Sequence, residues 1–248
     1  MKAQTAQGAH GVVVAGHGLA SEAGLGVLQG GGNAADAAIA AALVLCVVCP
    51  YASTLGGDLY ALVYEPRSGI AGLNGTGRSP LAASAERFAE GIPGNGVRSA
   101  TVPGLLRGLG DLQERFGSRD LAFLMRPAIQ LAEEGFAVHR QLALNTAERA
   151  SLLAKDPGAS ALFLPGGRPL AEGDRLVQAS LAGVLRRVAE RGVAAFYSGE
   201  LAERIAAASA KLGGLIAAED LARHESLWQA PIAAPFYGHE VVTMPPNS

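Results

Sequence analysis

The chain has 248 residues, 49% of them apolar and 17% charged, with a formal net charge of −2. That hydrophobicity at near-zero charge excludes an intrinsically disordered chain. The 20 basic residues are scattered, with no run longer than Arg186-Arg187, so the basic stripe that nucleic-acid binding needs is missing.

The polar start, Met1–Gln7, has no hydrophobic stretch behind it, and no signal peptide is expected. Gly11–Ala15 predicts a short buried strand ended by Gly16 and Gly18. Ser21 opens a helix with apolar Ala23, Leu25, Val27 and Leu28, and Gly30-Gly31-Gly32 stops it. Asn33 is placed to cap the next helix, Ala34–Val48, with Asp36 in its first turn. That helix is apolar on nearly every face, which predicts burial. Its apolar run, Ala37–Cys49, is thirteen residues long, short of the about 20 a bilayer span needs. After Pro50 comes a small-residue loop through Asp58. Leu59–Tyr64 and Ile70–Asn74 read as two strands of a hairpin turning at Pro66–Gly69. Gly75–Pro80 is a loop, Ala82–Glu90 a predicted helix, and 91–104 an irregular connection.

From Leu105 the spacing becomes helical: Leu105–Phe116, Met125–Glu134, Gln141–Ala154, Gln178–Arg191 and Glu200–Leu212. Ala233–Tyr237 and Glu240–Met244 return to extended structure. No linker or internal repeat divides the chain, so residues 1–248 read as a single unit. The 33 glycines are nearly twice the usual ~7% share. They follow no Gly-X-Y period and are expected at turns and close approaches.

Four features could carry chemistry. Gly16-His17-Gly18-Leu19-Ala20-Ser21 approaches a dinucleotide-binding turn, and Asp36 lies 20 residues beyond Gly16. The ribose-binding acid of that motif ends a second strand, whereas Asp36 opens a helix; a tight turn into a helix is the better reading. Cys46-Val47-Val48-Cys49 sits at the end of an apolar helix, where no dipole lowers a thiol pKa, so buried structural thiols are expected. With only two cysteines and no disulfide framework, a reduced cytoplasmic setting follows. His10, His17, His139, His224 and His239 lack metal-ligand spacing and read as surface or capping residues. Finally, the loops Ser53–Asp58 and Asn74–Pro80 lie at the same open end of the hairpin. Their backbone amides and Arg78 suit a carboxylate or other anion.

Several ordered blocks resemble one family, the gamma-glutamyltransferases. They are Leu19–Gly24, Gly30–Ala38, Pro50-Tyr51 with Ser53 and Gly56-Gly57, Pro103-Gly104, Pro127–Phe136, Phe196–Gly199, Gly213–Leu221 and Tyr237–Pro246. The resemblance implies an α+β fold, the four-layer αββα sandwich of an N-terminal-nucleophile hydrolase, with this chain as the large-subunit portion. It implies a precursor that cuts itself into two subunits, giving a heterodimer or a dimer of heterodimers. The new N-terminal threonine of the small subunit would be the nucleophile. The substrate would be a gamma-glutamyl peptide or related acyl amide, with no cofactor, metal, nucleic acid or membrane involved.

Two departures shape the expectation. Thr5, Thr54, Thr76, Thr101, Thr146 and Thr243 are all internal, so no catalytic residue is expected within this chain. The family's arginine for the donor carboxylate stands four residues before the proline matching Pro80; here Thr76 occupies that place and an arginine appears at Arg78 instead. Losing one partner of a buried charge pair costs ~2–5 kcal/mol, so weak gamma-glutamyl activity is expected. The loop resembles that of the cephalosporin or glutaryl acylase branch. Asn74, Thr76 and Arg78 are the substrate-binding candidates. The alternative is a non-catalytic scaffold homologue or fragment that lost autoprocessing.

Overall fold

The computed structural model describes residues 5–247; Ser248 and Met1–Gln4 of the polar start lie outside the described residues. Its helices are α1 (Gly18–Gln29), α2 (Ala34–Val48), α3 (Leu105–Phe116), α4 (Leu121–Glu134), α5 (Arg140–Glu148), α6 (Ala150–Leu153), α7 (Pro157–Phe163), α8 (Ala179–Arg191), α9 (Ala194–Tyr197), α10 (Gly199–Lys211) and α11 (Ala218–Ala222). The strands are β1 (Leu59–Glu65), β2 (Gly69–Gly75), β3 (Phe136–Ala137), β4 (Arg175–Leu176), β5 (Leu227–Gln229), β6 (Ile232–Phe236) and β7 (His239–Thr243). Helix and sheet are mixed as in an α+β protein. The chain forms two compact units, one joining the segment up to Thr54 to Ser118–Ala189, the other joining Leu55–Gly117 to the chain from Glu190 onward.

The first unit is built around α2. Its Ile39, Ala40, Leu43, Val44, Val47 and Val48 are buried on all sides, as the unbroken apolar pattern requires. Asn33 and Asp36 form a reciprocal capping box: Asn33 Oδ1 accepts from Asp36 N at 3.0 Å and Asp36 Oδ2 from Asn33 N at 2.9 Å. At the other end, two orphan carbonyls of the last turn find side chains. Gln178 Nε2 donates to Val47 O at 2.7 Å, and His139 Nε2 lies 3.1 Å from Val48 O. Cys46 and Cys49 are buried free thiols, as expected, and burial pushes the Cys46 thiol up to about 11.

Four local expectations change in this unit. Gly11–Ala15 is extended but forms no strand, because no described segment pairs with it, and Val14 is 84% exposed. The first helix begins at Gly18, three residues before Ser21, since the His17 ring accepts from Leu19 N at 3.2 Å and caps it. Asp120 Oδ1 accepts from Phe123 N at 2.6 Å and starts α4 at Leu121, earlier than Met125. The predicted helix Gln141–Ala154 breaks at Arg149, where ψ is 9°. The short α7 and the β3–β4 pair have no sequence periodicity to announce them.

The second unit carries an antiparallel sheet in the order β1-β2-β5, with Leu59 opposite Gly75 and Leu73 opposite Trp228. Helix α3 buries Leu105, Leu106, Leu109 and Leu112, an i, i+1, i+4, i+7 stripe. Its N-cap residue, Gly104, has no side chain to cap with. The buried Tyr197 hydroxyl takes over, accepting from Arg107 N and donating to Pro103 O, each at 2.9 Å. Asp220 ties α11 to the loop after β2, accepting from Ala217 N and Leu81 N at 2.7 Å. The predicted helix Ala82–Glu90 is reduced to one 3₁₀ turn, Glu86–Phe88. Phe88 is the segment's sole large apolar side chain, too little for a buried stripe. The two segments expected to be extended are β6 and β7, and they pair as an antiparallel hairpin with Ile232 opposite Thr243.

Candidate functional site

The candidate site lies within the second unit, at the open end of the β1–β2 hairpin. Asn74 is the penultimate residue of β2 and is 4% exposed. Its Oδ1 accepts from Thr76 N at 3.0 Å and from Thr76 Oγ1 at 2.5 Å, closing a tight turn on its own chain. Its Nδ2 donates to Asn247 Oδ1 at 2.7 Å and to Gln229 Oε1 at 3.4 Å. Asn247 Nδ2 in turn donates to Thr76 Oγ1 at 3.2 Å, and Tyr60 holds the Asn247 carbonyl at 2.7 Å. The Thr76 hydroxyl therefore has a partner on each side.

The loop beyond Thr76 is pinned just as firmly. Gly77 N donates to Asp58 Oδ1 at 2.6 Å, so the two loops at this end are bound directly to each other. A Cβ on Gly77 would lie 1.8 Å from Val102 O, and one on Gly104 would lie 2.1 Å from Gly75 O. Only glycine permits either approach. Val102 N donates to Arg78 O at 3.0 Å, fixing the arginine backbone while its side chain stays exposed. Among the described residues Arg78 enters no ion pair. The geometry thus brings Asn74, Thr76 and Arg78 to one loop, with the first two locked and the third presented.

Asn247, Tyr60 and Gln229 complete this network and were not among the sequence candidates, whereas Asp58 belongs to the candidate loop Ser53–Asp58. Asn247 follows directly on the Tyr237–Pro246 block, which is the signal that could have found it. The histidine expectation needs one correction. His17 and His139 do cap helix ends, their rings 4.7 Å apart. His224, however, is 2% exposed and neither of its ring nitrogens has a hydrogen-bond partner. Burial, with the nearby Arg107 and Arg78 charges, holds its pKa below the usual imidazole value. The Gly16–Ser21 segment is a tight turn into α1, with Ala15 N donating to Ser21 Oγ at 3.1 Å. Among the described residues no three His, Cys, Asp or Glu side chains gather to hold a metal ion, and no helix is long and apolar enough to cross a membrane.

Comparison with known proteins places the chain in a family. The gamma-glutamyltranspeptidase family model matches residues 20–248. The glutathione hydrolase-like YwrD proenzyme of Bacillus subtilis (strain 168) is 36% identical over 241 residues, covering 96% of this chain and 46% of that protein. The acylase ACY 1 proenzyme of Pseudomonas sp. (strain SE83) is 37% identical over 257 residues, covering 98% of this chain and 46% of that protein. The crystal structure of Helicobacter pylori gamma-glutamyltranspeptidase matches with a TM-score of 0.95 at 32% identity, over 99% of this chain and 72% of that one. The chain spans about half the length of the curated relatives it matches. With its whole length from residue 20 matched in sequence and its fold matched in structure, the chain belongs to the gamma-glutamyltranspeptidase family.

Proposed function

We propose that this chain supplies the large-subunit portion of an amide hydrolase or acyltransferase that works through an acyl-enzyme. The match over residues 20–248, to relatives that are themselves proenzymes, carries the reading. In this mechanism the precursor cleaves itself and exposes an N-terminal threonine on a small subunit. The threonine hydroxyl attacks the substrate amide carbon while its own α-amine takes the proton. The proton then passes to the leaving amine, and water or a second amine collects the acyl group.

Asn74, Thr76 and Arg78 form the substrate-binding side in this reading. Asn74 and Thr76 spend their polar groups on each other and on Asn247, so they shape the loop. The exposed Arg78 is left to meet the substrate carboxylate. An arginine displaced in this way suits a glutaryl or cephalosporin-type acyl chain better than a gamma-glutamyl group. The acylase name of one relative supports that preference.

The test is to express this chain with its downstream reading frame and follow intact mass and turnover. Two chains should appear, and a glutaryl amide should be hydrolysed with a higher kcat/KM than gamma-glutamyl-p-nitroanilide. Arg78→Ala should lower kcat/KM for the glutaryl amide by about 10- to 150-fold, the worth of a charge-assisted hydrogen bond of ~1.5–3 kcal/mol. A product that never cleaves and hydrolyses neither substrate would overturn the reading. Efficient glutathione turnover untouched by Arg78→Ala would overturn the substrate preference.

A further inference from the structure

The second unit holds a cavity of about 370 Å³ whose walls include Arg107 and Asp111 from α3, His224, Glu225 and Ser226 from the segment that leads into β5, and Trp228 within β5. Its size is within the range of small-molecule sites. The condition of its polar groups is unusual. Both ring nitrogens of His224, the Ser226 hydroxyl and Arg107 Nε are buried and have no hydrogen-bond partner in the protein. Buried polar atoms are nearly always paired, because leaving one unpaired costs its full desolvation penalty. Here four of them belong to residues lining a single cavity.

Their positions are fixed by Tyr197. Its hydroxyl is clamped between Arg107 N and Pro103 O. One aromatic plate then orients two side chains. The Arg107 guanidinium lies 4.7 Å from the ring centre, and the His224 ring stacks on it at 5.8 Å with 21° between planes. Among the described residues Arg107 has no carboxylate partner. Asp111, four residues on along the same helix face, lines the cavity without reaching ion-pair distance.

The groups on offer are mainly donors: the guanidinium fork, an imidazole N–H and a hydroxyl. A planar two-oxygen anion matches the fork. Asp111 and Glu225 both line the cavity, and their two negative charges disfavour a doubly charged ion such as phosphate more strongly than a singly charged one, while the Trp228 indole offers an apolar wall. We propose that this cavity is a binding site for a small monocarboxylate, its head on Arg107, His224 and Ser226 and its alkyl body against Trp228. The proposal stands apart from the acyl-transfer reading, because it requires no turnover.

Trp228 is the single tryptophan of the chain and lines this cavity, so its fluorescence is a probe of binding there. The chain is titrated at constant ionic strength with propionate, with propionamide as the uncharged isostere, and with inorganic phosphate; calorimetry runs in parallel. The expected result is saturable binding of propionate, at least tenfold weaker binding of the other two, and loss of propionate binding in Arg107→Met. Should that variant lose its circular-dichroism signature, Ser226→Ala carries the same test, with propionate affinity falling about 3- to 10-fold. The control Arg186→Ala, in an exposed ion pair with Glu133, should bind as the parent does. Equal affinity for propionamide, tighter binding of phosphate, no saturable signal by either method, or parental affinity in Ser226→Ala would overturn the proposal.

Discussion

Asp36 and His224 are both polar, both sealed from solvent, and opposite in every other respect. The Asp36 carboxylate accepts from Asn33 N, from Ser118 N and Oγ, and from Arg119 N. Its burial would raise its pKa, but those hydrogen bonds overrule burial and hold it below the usual carboxylate value. His224 has no hydrogen-bond partner at either nitrogen. A buried polar group that is fully paired acts as a joint: here it ties the start of α2 to the chain entering α4. One left unpaired weakens the fold it sits in, and it is tolerated where something else uses it. Burial by itself therefore says little about function; the state of the buried atoms separates scaffold from site.

The sharpest way to break this comparison is at the joint. Asp36→Ala strands four backbone and hydroxyl donors and opens a void, and should cost about 3–5 kcal/mol in urea denaturation of the chain. Asp36→Asn keeps one acceptor oxygen and should cost about half as much. Since the folded carboxyl has the lower pKa, its contribution is present in full above about pH 4 and is lost as pH falls through the folded value. The wild-type and Asp36→Asn stability curves should therefore converge in acid. Parallel curves would show that the carboxylate charge is not what holds the joint.

The joint was legible in the sequence and the orphaned histidine was not, for a physical reason. A capping box is local: Asn33 and Asp36 stand three positions apart, and the helix dipole favours them there. The β1–β2 hairpin was legible for the same reason, through its turn at Pro66–Gly69. The candidate loop was half legible. Arg78 and the glycines announced it, but the partner that fixes Asn74 is Asn247, which lies 173 residues away. His224 was misread because its burial depends on Tyr197 and Arg107, on two other helices. A middle-sized effect tests the loop. Thr76→Val removes a hydroxyl bonded to both Asn74 and Asn247 and should cost about 1–2 kcal/mol. If the proposed function holds, it should also lower kcat/KM of the two-chain product, because Arg78 then hangs from a looser loop. Unchanged stability and kinetics would reduce the network to incidental contacts.

The smallest effect is the most telling, since it has the opposite sign. His224→Phe replaces the two unpaired buried nitrogens with an all-carbon ring one atom larger, which the adjoining cavity can take up, on a ring already stacked against Tyr197. At pH 8 the variant should match or exceed the parent in stability, by up to about 1 kcal/mol. The gap should widen in acid. An unfolded histidine takes its proton near pH 6.5, but burial and the facing Arg107 and Arg78 charges, only partly offset by Asp111 and Asp58, keep folded His224 neutral below that. Across that window the unfolded chain binds the extra proton, so the parent loses stability as pH falls, by up to about 1.4 kcal/mol per pH unit. The variant is spared that loss. His17, whose pKa is lowered in the same direction, titrates in both proteins and cancels from the difference. If His224→Phe is instead destabilising at pH 8, with a pH profile parallel to the parent's, then the imidazole is a paired structural element and the contrast with Asp36 fails. A variant that is more stable yet no longer binds propionate would show this fold trading stability for a site at one residue.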